Sequence, residues 1–105
     1  MKTKTKRTMQ RQGDLLFVPC DTIPTDATEQ PDGVIARGET TGHMHAIRRG
    51  QQAMLMIAAG MAYVRAMQET AVDHQEHETI TLSPGDYKVV RQREHTPDGW
   101  RQVAD

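Results

Sequence analysis

The stretch from Ala53 to Met67 limits most strongly what this chain can fold into. Thirteen of its fifteen residues are apolar, and only Gly60 and Arg65 interrupt them. Ala, Met and Leu favour helix, but a helix that is apolar all round must also be buried all round. A chain of 105 residues can hardly surround such a helix. We therefore expect two strands, Ala53 to Ile57 and Met61 to Ala66, with a single buried helix as the alternative.

Short apolar runs between turns recur along the rest of the chain. The other predicted strands are Leu15 to Val18, ended by Pro19, then Val34 to Arg37, His43 to Arg48, Ala71 to Leu82, and Tyr87 to Arg93. We expect the last two to form a hairpin across the turn Ser83-Pro84-Gly85-Asp86. Residues 21–33 are predicted as a surface loop, and residues 100–105 as a short tail after a turn at 96–99. Many short strands at such spacing are typical of an all-β fold, so we expect a small single-domain barrel or sandwich of antiparallel strands.

The first twelve residues are predicted to form a flexible basic arm ahead of a single β domain at 13–105. The arm contains five basic residues and no acidic one: Lys2, Lys4, Lys6, Arg7 and Arg11. Basic arms gain affinity for nucleic acid by neutralising phosphates, and they also bind acidic protein surfaces. No aromatic residue lies among these charges, so base stacking is not indicated. A solvated tail without a partner is the alternative.

Composition suggests a protein of the cytoplasm, or of a virion if the chain is phage-encoded. The single Cys20 excludes an internal disulfide. No stretch reaches the roughly 18 apolar residues of a membrane span, and the N-terminus lacks the apolar run of a signal peptide. The apolar share is 36%, with one Phe, one Trp and seven Met. Because such a core is thin, we expect a homo-oligomer or a bound metal to supply stability.

Four of the five histidines fall in two close pairs, and these are the strongest candidates for a functional site. Alternate side chains of a strand lie on one face, so His43 and His45 should direct both imidazoles to one point. Ile47 shares their face, which indicates that this face is turned inward. In the second pair, strict strand alternation favours His74 as a further ligand, whereas the turn-like His-x-x-His spacing keeps His77 as well.

Two glutamates accompany the histidines. Glu39 lies four residues before His43 across a turn, and it is a candidate ligand or a hydrogen-bond partner that orients a histidine. Glu76 lies within the second pair and is expected beside the ligands. Three N and O ligands with an open position suit catalytic Zn²⁺, and two His with one carboxylate suit Fe²⁺ or Mn²⁺. The expected cofactor is therefore a divalent transition metal, Zn, Fe or Mn.

The histidines also have interpretations other than metal binding. The histidines could instead be hydrogen-bonded polar residues near turns or at an oligomer interface. Ser83 is the only serine and lies in a Pro-Gly turn, which disfavours a Ser-His-Asp triad. No glycine-rich phosphate loop is present. No residue is assigned a catalytic role, and a protein without enzymatic activity is favoured.

Several segments together resemble a group of small uncharacterised proteins of bacterial and phage genomes. The segments are Gln12 to Leu16, Arg37 to His45, His74 to His77, Leu82 to Tyr87 and Arg91 to Glu94. The group shares a Q-G-D start, a G-E-x-T-G-H-x-H centre, an H-x-E-H pair and a Y-x-V-x-x-Q-R-E end. The resemblance spans about residues 12–105 and implies no activity. This chain departs from the group at His95, where an aromatic residue is expected, so His95 is predicted to be a surface residue. The His-x-His motif also loosely resembles cupins at the level of fold, although residues 46–52 contain no Glu.

Two functional hypotheses follow. The first is a small β protein that binds a transition metal through the two histidine pairs, with no assigned activity. The second is an oligomeric, phage-type structural or accessory protein whose basic arm contacts a capsid, nucleic acid or a partner protein.

Overall fold

Residues 7–38, 42–96 and 99–102 are described by a computed structural model, with backbone alone described from residue 93 onward. All regular structure in these ranges is β-strand. The strands are β1 Gln10–Gln12, β2 Leu15–Cys20, β3 Thr28–Glu29, β4 Val34–Arg37, β5 Met44–Ile47, β6 Ala53–Ala58, β7 Met61–Ala66, β8 Thr70–Asp73, β9 Ile80–Leu82, β10 Gly85–Arg91, β11 Arg93–Thr96 and β12 Gly99–Gln102. None of the described residues forms a helix that could cross a membrane.

The strands form two larger antiparallel sheets and one two-stranded ribbon. The first sheet has the strand order β1-β2-β10-β7-β6-β3, and the second has the order β4-β5-β8-β9. Strands β11 and β12 pair only with each other. The predicted all-β fold of short antiparallel strands is confirmed.

The apolar stretch that opened the sequence analysis forms the hairpin β6–β7. Leu55 lies opposite Val64, and both side chains are buried in the core. The two residues of the turn, Ala59 and Gly60, have φ angles of 50° and 77°. Two-residue hairpin turns use positive φ at both positions because their twist then matches that of the strands. The prediction of two strands is confirmed, and the helix alternative is wrong.

The hydrophobic core lies between the two sheets. Phe17 on β2 pairs with Val89 on β10, and Tyr87 on β10 pairs with Val64 on β7, so the inward residues form rows across the first sheet. Val72 and Leu82 of the second sheet belong to the same core. Phe17 is fully buried, and burying an aromatic side chain stabilises a fold by roughly 1.5–3 kcal/mol. The core therefore holds the second sheet, which includes the strands flanking the histidines, against the first.

The prediction of one strand from Ala71 to Leu82, and of a hairpin after it, was wrong. The segment contains two strands, β8 and β9, which pair with each other across a loop at 74–79. The chain then passes from one sheet to the other, because β10 pairs with β2 and β7. The Tyr87 hydroxyl donates a hydrogen bond of 2.7 Å to the Ser83 carbonyl at this crossing. Pro and Gly mark a change of direction here, but the partner strand is decided by the core.

Strand ends differ from the predictions at several points. Strand β2 continues through Pro19 to Cys20, because β1 pairs only as far as Phe17 and leaves that side of β2 open. The predicted loop at 21–33 contains the short strand β3, and the predicted last strand is interrupted at Gln92, after which β11 begins. Part of the predicted tail, residues 99–102, is the strand β12, which pairs with β11.

The segment predicted as the basic arm, residues 1–12, overlaps strand β1 at its end. Strand β1 already covers Gln10–Gln12 and pairs with β2, so strand pairing begins inside the segment assigned to the arm. Gln12 is buried, with 2% of its surface exposed. A buried amide has to satisfy its hydrogen bonds inside the protein, and those of Gln12 lead directly to the histidines.

Candidate functional site

The four paired histidines come together at one end of the second sheet. The ring centroids of His45 and His74 lie 4.4 Å apart, and those of His74 and His77 lie 4.6 Å apart. The separation is 5.5 Å between His43 and His74 and 6.3 Å between His45 and His77. The four side chains, hereafter the histidine cluster, thus come from two segments that are about thirty residues apart in the sequence.

Strand pairing brings the two segments together. His45 lies on β5, which pairs with β8, and Ala46 is opposite Asp73. The loop at 74–79 therefore starts beside His45. The Met44 backbone N–H donates a hydrogen bond of 2.8 Å to the side-chain oxygen of Gln75, which ties the loop to the start of β5. His74 and His77 lie in this loop and not on a strand, so the argument from strict strand alternation was wrong in its premise.

His45 is fully buried, and Gln12 determines which of its nitrogens carries the proton. The Gln12 amide nitrogen donates to the carbonyl oxygens of Val72 (2.8 Å) and Glu78 (2.9 Å). Its oxygen consequently faces Nδ1 of His45, at 2.9 Å. Because an amide oxygen only accepts hydrogen bonds, Nδ1 of His45 is the donor. In the neutral ring, Nε2 then has the lone pair.

Asp14 lies on the other side of the His45 ring. Its side chain is fully buried, with Oδ1 at 3.3 Å from Nε2 of His45. Its second oxygen, Oδ2, is 2.9 Å from Nε of Arg91, and the Arg91 guanidinium also donates a hydrogen bond of 2.8 Å to the Arg37 carbonyl. Gly13 precedes Asp14 with a φ of 58°, a conformation that glycine adopts without strain. This tight turn between β1 and β2 directs the carboxylate inward.

The surroundings of His45 favour its neutral form. Burial, and to a smaller extent the neighbouring His74, lower the pKa of His45 to about 4, although the Asp14 carboxylate acts in the opposite direction. Desolvation penalises the charged imidazolium. At neutral pH His45 is therefore a neutral imidazole, the form that binds metals.

The other three histidines have different surroundings. Nδ1 of His74 accepts hydrogen bonds from the backbone N–H groups of Glu76 (3.0 Å) and His77 (3.2 Å), which closes the turn of the loop. Nε2 of His77 is buried and has no hydrogen-bond partner among the described residues. The side chain of His43 is 27% exposed, and its Nδ1 lies 3.5 Å from a carboxylate oxygen of Glu76.

Sequence reasoning identified the histidines but missed two buried residues and a partly exposed arginine around them. Glu76 lies beside His43 as expected, while Glu39 lies outside the described residues. Gln12, Asp14 and Arg91 were not assigned to the site. Gln12 and Asp14 flank the Gly13 turn, and two polar residues at a tight turn usually indicate an exposed loop, so only their burial reveals their role.

The side chains of the cluster are not arranged as a metal site. No group of three or more His, Cys, Asp or Glu side chains within the described parts of the chain is placed to hold a metal ion. The rings lie in contact with one another, and they would have to turn for their nitrogens to point at one centre. The predicted metal therefore stays a prediction.

The described residues of the basic arm lie against the protein itself. The Arg7 guanidinium donates to the carbonyl oxygens of Asp86 and Cys20, the latter at 3.1 Å, and lies 5.2 Å from the centroid of the Tyr87 ring. Arg11 lies on β1 and donates a hydrogen bond of 3.2 Å to the Gly13 carbonyl. The remaining arm residues, Lys2, Lys4 and Lys6, and the side chain of His95 lie outside the described residues. The predicted contacts with nucleic acid, a capsid or a partner stay predictions.

Comparison with known proteins identifies a family. No curated protein and no solved structure matches this chain. One family model matches residues 11–92, a segment that includes Gln12, Asp14 and the histidine cluster. The predicted membership of an uncharacterised family is confirmed, whereas the bacterial or phage origin stays a prediction. Because the match covers most of its length, the chain belongs to the family described as "Domain of unknown function (DUF8820)".

Proposed function

We propose that this protein binds one divalent transition-metal ion, Zn²⁺, Fe²⁺ or Mn²⁺, at the histidine cluster. The observation that carries this proposal is the convergence of four imidazoles on one loop and one strand end. Imidazoles are common metal ligands. Four imidazoles packed together contribute little to a hydrophobic core, because each ring carries two polar nitrogens. No reaction is assigned to the site.

The spacing of the rings supports the proposal. Two imidazoles bound to one ion, with nitrogens about 2.0–2.1 Å from it, have ring centroids about 4.5–5.5 Å apart. The four measured separations run from 4.4 to 6.3 Å. The separations of 4.4, 4.6 and 5.5 Å, all of which involve His74, lie close to this range, whereas His45 and His77, at 6.3 Å, would have to move closer to share an ion.

The hydrogen bonds around His45 support it as well. Histidines that bind metals usually donate their other ring N–H to an oxygen, which fixes the ring and its tautomer. Gln12 provides such an oxygen at 2.9 Å from Nδ1 of His45. The nitrogen that remains, Nε2, lies on the side of the ring that faces Asp14.

The test is the metal content and affinity of purified protein. Wild-type protein should bind about one equivalent of Zn²⁺, Mn²⁺ or Fe²⁺ (the last under anaerobic conditions), as measured by elemental analysis and titration. The double variant His43→Ala/His45→Ala should lose this binding. His95→Ala is the matched control, because it removes the one histidine outside the cluster, and it should bind as the wild type does. Equal substoichiometric metal in all three proteins would refute the proposal.

Thermal unfolding gives an independent measurement. An ion that binds only the folded state stabilises it by about 2.7 kcal/mol when its concentration is 100 times the dissociation constant. Addition of the ion should raise the midpoint of the wild type and of His95→Ala, and a chelator should reverse the change. The double variant should not respond.

A further inference from the structure

We propose that Asp14 is a ligand of this ion, binding through Oδ1 beside Nε2 of His45. The inference rests on the proposed function and names its ligand set more closely. The site then combines imidazoles with a buried carboxylate from the turn between β1 and β2. It is no longer formed by the two histidine pairs alone.

The distance between the two atoms fits two ligands of one ion. Ligand atoms about 2.0–2.2 Å from a tetrahedral ion lie about 3.3–3.5 Å from each other. Oδ1 of Asp14 lies 3.3 Å from Nε2 of His45. In the neutral ring Nε2 carries the lone pair, because Nδ1 donates to Gln12. Two electron-pair donors thus face each other at the separation that two ligands of one ion would have.

Both groups are held in this arrangement by other residues. Arg91 lies against Oδ2 of Asp14, at 2.9 Å, which leaves Oδ1 on the side of His45. The Gln12 side-chain oxygen accepts a hydrogen bond from Nδ1 of His45, with 2.9 Å between the two atoms, which leaves Nε2 on the side of Asp14. Asp14 and His45 are both fully buried, and ligands that are ordered before the ion arrives lose little side-chain entropy on binding it.

His74 is better suited to shaping the loop than to binding the ion. Its Nδ1 accepts two backbone hydrogen bonds, at 3.0 and 3.2 Å. A neutral imidazole that accepts at Nδ1 carries its proton on Nε2, so binding through either nitrogen would cost these bonds or require a further deprotonation. The ligands that remain are Asp14 and the imidazoles of His43, His45 and His77, and the rings of His45 and His77, 6.3 Å apart, would have to move closer to share the ion.

This ligand set selects a class of metal. Three nitrogens and one carboxylate oxygen suit borderline and harder divalent ions such as Zn²⁺, Co²⁺, Fe²⁺ and Mn²⁺. Cu⁺ prefers thiolate and thioether ligands. A positive ion also offsets the cost of burying the Asp14 carboxylate, whose side chain is fully buried.

The test uses Co²⁺ as the probe and a cysteine in place of Asp14. A thiolate bound directly to Co²⁺ produces an intense near-ultraviolet charge-transfer band, which a residue that only positions a ligand does not produce. Asp14→Cys is made in a Cys20→Ser background, so that the new thiol is the only one, and Cys20→Ser alone is the control. We expect the band in the double variant and not in the control.

The second measurement is the affinity for Co²⁺ by titration. Asp14→Asn keeps the size of the side chain and should weaken binding at least about 100-fold, more than is usual for a residue outside the ligand set. His77→Asn should weaken binding to the same degree, whereas His74→Asn should weaken it less than His77→Asn.

The outcomes separate this inference from the proposed function. If wild-type protein binds no Co²⁺, Zn²⁺, Fe²⁺ or Mn²⁺, the proposed function and this inference both fail. If wild-type protein binds Co²⁺ but the folded Asp14→Cys variant shows no band, or Asp14→Asn binds with unchanged affinity, the inference fails and the proposed function stands. If the cysteine variant does not fold, the affinity of Asp14→Asn decides, with its fold checked by circular dichroism.

Discussion

Acidification of the metal-free protein should destabilise it through His45. This side chain is fully buried, and its pKa is lowered from 6.5 to about 4 by burial and by the neighbouring His74. Between these two values the unfolded chain binds a proton that the folded protein does not. Stability from this residue is therefore fully present above pH 6.5, is lost as the pH falls toward 4, and is not lost further below that.

The expected size of this loss is about 3 kcal/mol. One pKa unit corresponds to about 1.4 kcal/mol, and the difference between 6.5 and about 4 spans about two and a half units. A small domain has only about 5–15 kcal/mol of stability in total. The loss should consequently be large enough to move an unfolding midpoint clearly.

The assay is urea unfolding in the presence of a chelator, followed by circular dichroism between pH 7 and pH 4. The control is His45→Gln, which retains a polar side chain but cannot gain a proton in this range. The two proteins share all their other ionisable groups, so the decisive quantity is the difference between the two pH profiles. If the wild type and His45→Gln lose equal stability from pH 7 to pH 4, the assignment of a neutral, buried His45 is refuted.

Three further predictions concern the free energy of unfolding, measured by urea unfolding. Phe17→Ala should cost about 3–5 kcal/mol because it leaves a cavity between the sheets, whereas Val18→Ala on the opposite face of β2 should cost clearly less; equal losses would contradict the assigned core. Gln12→Leu should cost about 2–4 kcal/mol, because it leaves the buried Val72 carbonyl, the partly buried Glu78 carbonyl and Nδ1 of His45 without their partner, and a neutral result would show that these bonds contribute little. Ala59→Asn should stabilise the protein by up to about 1 kcal/mol, because Asn adopts the positive φ of this turn more readily than Ala; a loss of stability would indicate that the turn is not as described.

The strands were largely predictable because their signal is local. The segment at 53–67 divides at Gly60, since a continuous apolar helix has no place to be buried in a chain of this size. The boundaries of β4 and β7 were also predicted, because apolar runs and adjacent turn residues lie next to each other in the sequence. Local signals of this kind predict strands correctly when the packing of the core does not favour a different structure.

Strand partners were not predictable in the same way. Ser83-Pro84-Gly85-Asp86 has the composition of a hairpin turn, yet β9 and β10 lie in different sheets. The same residues allow a reversal within one sheet and a crossing between two. Burial of Tyr87 and Leu82 in one core from opposite sheets decides between them, and that choice depends on residues far away in the sequence.

For the candidate site, the sequence alone determined that two histidine pairs exist, and it predicted an inward face for His43 and His45, of which His45 is fully buried and His43 is 27% exposed. It did not reveal that Gln12 and Asp14 are buried beside them, or that His74 and His77 belong to a loop. Those features depend on the pairing of β1 with β2 and of β5 with β8, which brings together residues separated by about sixty positions. A local pattern indicates on which face of a strand a side chain lies. Only the packing of the two sheets decides which other polar groups are buried beside that side chain and removed from water.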